Sequence, residues 1–96
     1  MRPFIITYDN KPPRNYAPLY VLMASWNAKR LADSVWLANL TGDVRTIRNI
    51  IQSKLQWDDV VAVIELQAGS DWATSNVDAT ANGWLSANIR PGQKAA

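Results

Sequence analysis

The feature that most constrains the fold is a set of three short segments that are apolar on both of their alternating faces. These segments are residues 4–8, 35–40 and 60–66. Their β-branched and aromatic residues are typical of strands. A strand with one face in water alternates apolar and polar residues, and these three do not. We therefore expect a sheet that is covered on both of its sides.

Two segments between these strands carry apolar side chains at helical spacing. For the first helix we predict Asn15 as the N-cap and Pro18 in the first turn. For the second we predict Thr41 as the N-cap and Asp43 at the positive end of the helix dipole. The apolar faces of the two helices consist of Tyr16, Leu19, Tyr20, Met23 and Trp26, and of Val44, Ile47, Ile51 and Leu55.

The order of the elements predicts the fold class. With a weaker strand over residues 28–32, the first six elements follow the order β-α-β-β-α-β. This order favours an α+β ferredoxin-like sandwich of two layers, in which two helices cover one face of an antiparallel sheet. We place this core in residues 1–69 of a single domain. Residues 70–96 are then a C-terminal extension, with a helix over 78–89 and a frayed tail from residue 90.

The second face of such a sheet needs a cover of its own. The extension, which contains Trp72 and Trp84, can cover part of it. A second copy of the chain can cover more, because an exposed apolar patch above roughly 400–600 Å² is unusual for a monomer. We therefore expect a two-fold homodimer.

The residue types that are absent restrict the chemistry. The chain has no His and no Cys, which excludes Ser–His and Cys–His nucleophilic catalysis, disulfides and zinc–thiolate sites. An enzyme with this sequence would work with carboxylates, Lys, Arg, Tyr or Ser. The lack of Cys fits a reducing compartment, and we expect a cytoplasmic location. No apolar run approaches the roughly 20 residues that span a bilayer, so we expect no membrane partner.

Positive charge is concentrated in the first half of the chain. Residues 1–54 contain eight of the ten Lys and Arg residues and three of the eight acids, and such a basic half can attract phosphate. Lys11 and Arg14 flank two prolines, and Arg45 and Arg48 lie three residues apart on the second helix. These four are the candidate nucleic-acid contacts. The alternative for both pairs is an ordinary solvated surface.

Asp9 is the candidate catalytic and metal-binding residue. It stands at the end of the first strand, directly before the segment NKPPRN, which cannot continue a strand. One carboxylate per subunit could hold Mg²⁺ weakly, because this ion prefers oxygen ligands and keeps several waters. Asp33 is a candidate second carboxylate on spatial grounds only. The alternative is structural, with Asp9 forming an Asx turn with Asn10 ahead of the prolines.

Three segments resemble a known family when they are taken in this order and at this spacing. They are IITYDN, SVWLANL and DDVVAVIEL, and they resemble the small CRISPR-associated adaptation protein, a ferredoxin-like dimer of the spacer-integration complex. The related virulence-associated protein D group, which are RNA-cleaving toxins, shares that fold. The resemblance covers about residues 3–67. It implies that Asp9 lies near the dimer two-fold and that its two copies bind a divalent metal for phosphodiester hydrolysis.

The resemblance also implies partners. Many members of the family grip duplex DNA through basic side chains and recruit an integrase. This chain is less basic than such members, its loop after Asp9 is rich in Pro, and a helix is predicted where many members have a fifth strand. The predicted function is a nucleic-acid-associated homodimer with metal-dependent cleavage of RNA or DNA at Asp9. The alternatives are a non-catalytic interaction module of the same fold and a toxin-like ribonuclease.

Overall fold

Strand β1, Arg2–Tyr8, lies inside the sheet of the computed structural model, which describes residues 1–92. On one side β1 pairs antiparallel with β3, Val35–Leu40, and on the other with β4, Val61–Glu65. Strand β2, Lys29–Ala32, pairs antiparallel with the far side of β3. The sheet order is therefore β2-β3-β1-β4, with β2 and β4 at the two edges.

The helices complete the predicted topology. Helix α1, Ala17–Ser25, connects β1 to β2, and helix α2, Val44–Gln52, connects β3 to β4. The prediction of a ferredoxin-like α+β sandwich is confirmed by this order of strands and helices. A third helix, α3, Ala79–Asn88, lies in the extension as expected. The predicted frayed tail falls mainly on residues 93–96, which lie outside the described residues.

Helix α2 begins later than the sequence predicted. Its N-cap is Asp43, whose carboxylate accepts a hydrogen bond from the backbone N–H of Thr46 at 2.8 Å. The prediction of Thr41 as the cap is therefore wrong. Gly42 intervenes with a φ of 124°, a conformation that glycine adopts without strain, and it turns the chain so that the next residue reaches the helix end. The hydrogen bond from Thr46 lowers the pKa of Asp43.

The N-cap of helix α1 lies one residue after the predicted cap, Asn15. Tyr16 occupies the N-cap position without a side-chain capping bond. Asn15 still contributes, because its side-chain oxygen accepts a hydrogen bond from the backbone N–H of Ala17 at 3.0 Å. Pro18 lies in the first turn as predicted, where a missing N–H costs no helical hydrogen bond.

The main core lies between one face of the sheet and the two helices α1 and α2. Burial of these apolar side chains out of water favours folding. The buried residues of this core are Phe4, Ile6, Tyr8, Ala38 and Leu40 from the sheet and Tyr16, Leu19, Met23, Ile47 and Ile51 from the helices and the turn before α1.

Helix α3 covers the other face over β2 and β3. Its Trp84 and Leu85 pack with Leu37 of β3 in a second buried cluster, and Trp72 is partly buried against the same cluster. The expectation that the extension covers part of the second face is therefore confirmed. It does so as a helix that belongs to the same chain.

The β1–β4 half of this second face is only partly covered by the described part of the chain, since Ile5 of β1 packs against the α3 cluster. In it Ile5 pairs with Ile64, and Thr7 pairs with Ala62. Ile64 is 55% exposed and Val60, which precedes β4, is 52% exposed. We call the remaining surface, made of Thr7, Val60, Ala62 and Ile64, the open half-face. It is bordered by β4, an edge strand that contains no Lys or Pro to discourage pairing.

Two tryptophans give a matched test of the second core. Trp84 is 8% exposed, and Trp57 is 91% exposed. We expect Trp84→Ala to lower the free energy of unfolding by about 3–5 kcal/mol, because it leaves a cavity under α3. We expect Trp57→Ala to change it by less than about 0.5 kcal/mol. Urea unfolding followed by circular dichroism measures both, and equal losses would contradict the packing of α3 on the sheet.

Candidate functional site

Two loops meet at the end of the sheet where β1 finishes. They are the β1–α1 loop, residues 9–16, and the α2–β4 loop, residues 53–60. The backbone N–H of Asp9 donates to the carbonyl of Val60 at 3.3 Å. Lys11 Nζ donates to the carbonyl of Asp58 at 3.4 Å. The two loops therefore form one surface around the end of β1.

Arg14 joins the two loops through both ends of its guanidinium. Its Nη1 lies 2.6 Å from Asp59 Oδ1, and its Nη2 lies 3.0 Å from Asp58 Oδ2. The Asp59 side chain is only 2% exposed, and its other oxygen accepts from the backbone N–H of Gln56 at 2.7 Å. Charge-assisted bonds of this kind are stronger than neutral ones. They raise the pKa of Arg14 and lower that of Asp58.

This pairing changes what the sequence suggested for Arg14. Its charge is already matched by two carboxylates of the same protomer, so a phosphate would have to compete with them. The sequence contains a signal for this pairing. Two adjacent acids, Asp58 and Asp59, precede an apolar strand, and a carboxylate that becomes buried there needs a basic partner.

Asp9 is exposed, and hydrogen bonds fix its backbone but not its side chain. Its carbonyl accepts from the Tyr16 hydroxyl at 3.0 Å, and that hydroxyl accepts from the Lys11 N–H at 2.8 Å. Because the Lys11 N–H is bonded to Tyr16, it does not close an Asx turn with Asp9, and the alternative of an Asx turn is wrong. Within residues 1–92 the Asp9 carboxylate has no hydrogen-bond partner.

Asp33 lies beside this loop, as the spatial guess proposed. The side-chain amide of Asn10 donates to Asp33 Oδ2 at 3.1 Å. The described residues nevertheless contain no group of three acidic, His or Cys side chains that could hold a metal ion.

Tyr8, the residue before Asp9, is buried and does not extend the chemistry of the site. Burial raises the pKa of its hydroxyl above the ordinary value of 10.0. The phenol therefore stays protonated at neutral pH and cannot act as a base there.

Arg45 and Arg48 lie apart from the two loops. With Val44 and residues 61–63 of β4 they line a shallow cavity of about 320 Å³ on the outer side of α2. Arg48 donates to the side chain of its neighbour Asn49 at 3.0 Å. Neither guanidinium forms an ion pair with another described residue. Their charges are therefore open to solvent.

Comparisons with known proteins add no family to this description. No family model matches the chain, and no curated protein and no solved structure matches it. The fold rests on the order of its strands and helices, and the family resemblance rests on the three sequence segments quoted above. No helix within residues 1–92 is long and apolar enough to cross a membrane.

The two acids bound by Arg14 should differ in their importance. Asp59→Ala removes a buried carboxylate with two hydrogen bonds, and we expect it to lower the free energy of unfolding by about 2–3 kcal/mol. Asp58→Ala removes an exposed partner and should cost less. Chemical denaturation of the two variants measures this difference. A greater loss for Asp58→Ala would contradict the assignment of Asp59 as the anchor.

The lowered pKa of Asp58 predicts a dependence of stability on pH. Its contribution is present above the ordinary aspartate pKa of about 3.9 and is lost as the pH falls toward the lowered pKa of the folded state. We expect the urea midpoint of the wild type to fall between about pH 5 and pH 3, and to fall less in Asp58→Asn. Identical pH profiles would show that the pair with Arg14 does not form in solution.

Proposed function

We propose that the protein is a homodimer that binds nucleic acid, and that Asp9 from two protomers forms a divalent-cation site for phosphodiester hydrolysis. The observation that carries this proposal is the position of Asp9. It presents an exposed carboxylate with no partner in the described chain, at the end of a strand that runs through the open half-face.

The open half-face supports the dimer. Ile64 and Val60 are more than half exposed, and two copies packed through this surface would remove both side chains from water. Helix α3 lies over β2 and β3, and its cluster reaches Ile5 of β1, so it leaves room for a partner mainly over β4. Because Asp9 directly follows β1 beside this surface, a two-fold axis at this end of the sheet would bring the two carboxylates toward each other.

The two Asp9 carboxylates fit a weakly held Mg²⁺ ion, which accepts a few oxygen ligands and keeps its waters. When bound, such an ion supplies an activated water and stabilises charge on a phosphate. In each protomer Lys11 lies two residues from Asp9 and can bind a phosphate oxygen. Arg45 and Arg48 can contact the nucleic-acid backbone along β4. A phosphate contact by Arg14 remains a prediction, and its observed role is to join the two loops.

A second candidate function is a non-catalytic module of the same fold. It is favoured by the finding that no three candidate metal ligands cluster within the described protomer. In that case the dimer would bind RNA or duplex DNA through Arg45 and Arg48 and recruit a partner, for example an enzyme of the integrase type. A toxin-like ribonuclease would use the same Asp9 site and cleave RNA alone. Cleavage assays with both nucleic acids separate these possibilities.

Two separate lysine substitutions test the dimer, one in the open half-face and one on the exposed side of α1. We expect Ile64→Lys to convert the dimer to a monomer, because two buried ammonium groups would face each other at the axis. Val21→Lys places the same charge on the outer side of α1, where Val21 is exposed, and should leave the dimer intact. Sedimentation equilibrium at micromolar concentration reports both masses. A monomeric wild type would overturn the dimer.

The catalytic role can be tested with a neutral isostere. We expect the wild-type protein to cleave RNA or DNA in the presence of Mg²⁺. Cleavage should stop when a chelator is added. Asp9→Asn should lower that activity about 100-fold or more. Even the loss of a residue that only hydrogen-bonds to a metal ligand lowers activity or metal affinity by up to about 100-fold. Asp71→Asn, at an exposed acid in the extension, is the control. An active Asp9→Asn, or a wild type that cleaves no substrate, would reject the catalytic proposal.

A further inference from the structure

Trp57 is displayed at the tip of a tight turn in the α2–β4 loop. The backbone N–H of Asp59 donates to the carbonyl of Gln56 at 3.0 Å, which closes a β-turn with Trp57 and Asp58 at its centre. The indole is 91% exposed. Large aromatic side chains usually gain free energy from burial, so a tryptophan held in water suggests that it is buried by a ligand.

The turn that carries this indole is braced from several directions. Gln52 Nε2 donates to the carbonyl of Gln56 at 2.7 Å, and the Gln56 N–H donates to the buried carboxylate of Asp59 at 2.7 Å. The same carboxylate is bound by Arg14 from the other loop. Because the backbone of the turn is already fixed, little backbone conformational entropy remains to be lost when the indole binds.

The surroundings of the turn indicate the chemistry of the ligand. Arg14 offsets one of the two negative charges of Asp58 and Asp59, and the nearby Lys11 ammonium acts on Asp58 as well. Lys11 places its ammonium group 3.4 Å from the carbonyl of Asp58, next to the tip. The same pair of loops carries Asp9, whose N–H is bonded to Val60. An exposed aromatic face beside a lysine suits a ligand with a flat ring and a phosphate.

We infer that Trp57 stacks on an unpaired nucleobase while Lys11 contacts a neighbouring phosphate, so that the ligand of this site is single-stranded nucleic acid. This inference rests on the proposed function only in requiring that the protein bind nucleic acid. Every base has a π-face, so stacking on an indole tolerates different sequences. A base inside a duplex is stacked on both faces and is not available to the indole without being unstacked.

Binding assays with matched oligonucleotides test this inference. We would measure fluorescence anisotropy with labelled single-stranded RNA, single-stranded DNA and a blunt duplex of equal length, in chelator so that no substrate is cleaved. Trp57→Ala should weaken single-strand binding roughly 10- to 100-fold, Trp57→Phe should weaken it less, and duplex binding should change less than about 2-fold. Ile50→Ala, at an exposed apolar residue of α2, is the control and should bind as the wild type does.

Tryptophan fluorescence adds a readout that does not depend on affinity. Stacking should quench the Trp57 emission, so single strands should quench the wild type more than Trp57→Phe at saturation. Equal quenching of the two proteins would count against direct contact. The exposed position of Trp57 allows both variants to fold, which an unchanged urea midpoint verifies.

The outcomes separate this inference from the proposed function. If the wild type binds single strands and Trp57→Ala binds them equally well, stacking is rejected and nucleic-acid binding stands. Binding of duplex alone has the same consequence. If the wild type binds no nucleic acid, both proposals fail. If Trp57→Ala instead converts a dimer to a monomer, the indole is a protein contact, and the inference is overturned.

Discussion

Burial of both faces of β1 is the constraint on which the rest of the structure depends. Phe4 and Ile6 point into the core under α1 and α2, and Ile5 points to the opposite side. A central strand of this kind cannot face water on either side without a large loss of hydrophobic free energy. Helices α1 and α2 cover most of the first face, whereas α3 covers the second over β2, β3 and the Ile5 position of β1. The open half-face is the part of the second face that these helices leave uncovered.

The candidate site depends on a different kind of interaction. Arg14 holds the α2–β4 loop against the β1–α1 loop through Asp58 and Asp59. The hydrogen bonds of this pair leave the Asp9 carboxylate and the Trp57 indole exposed on a fixed backbone. Exposed groups on a fixed support are suited to binding, since little ordering is needed when a ligand arrives. The network thus connects a structural ion pair to the two residues on which our functional proposals rest.

The sequence predicted the fold better than it predicted the site, and the reason is physical. Periodicity is a local property, so the strands, the helices and their order could be inferred from spacing alone. Partner choice is not local: Arg14 and Asp59 are 45 residues apart, and no spacing rule joins them. The position of the α2 N-cap depended on the φ angle of Gly42, and the amino-acid sequence alone does not determine that angle. The exposure of Trp57 was also open, because an aromatic residue in a loop can turn inward or outward with equal sequence support.

The central claim is that the open half-face of one protomer packs on that of another and brings the two Asp9 residues together. Because the chain contains no cysteine, a single Asp9→Cys substitution creates one reporter per protomer. Under mild oxidation at micromolar concentration, we expect Asp9→Cys to form a disulfide between two chains far faster than Val21→Cys, which lies on the outer side of α1. Equal, slow rates for the two variants would show that the Asp9 residues do not meet and would contradict this account.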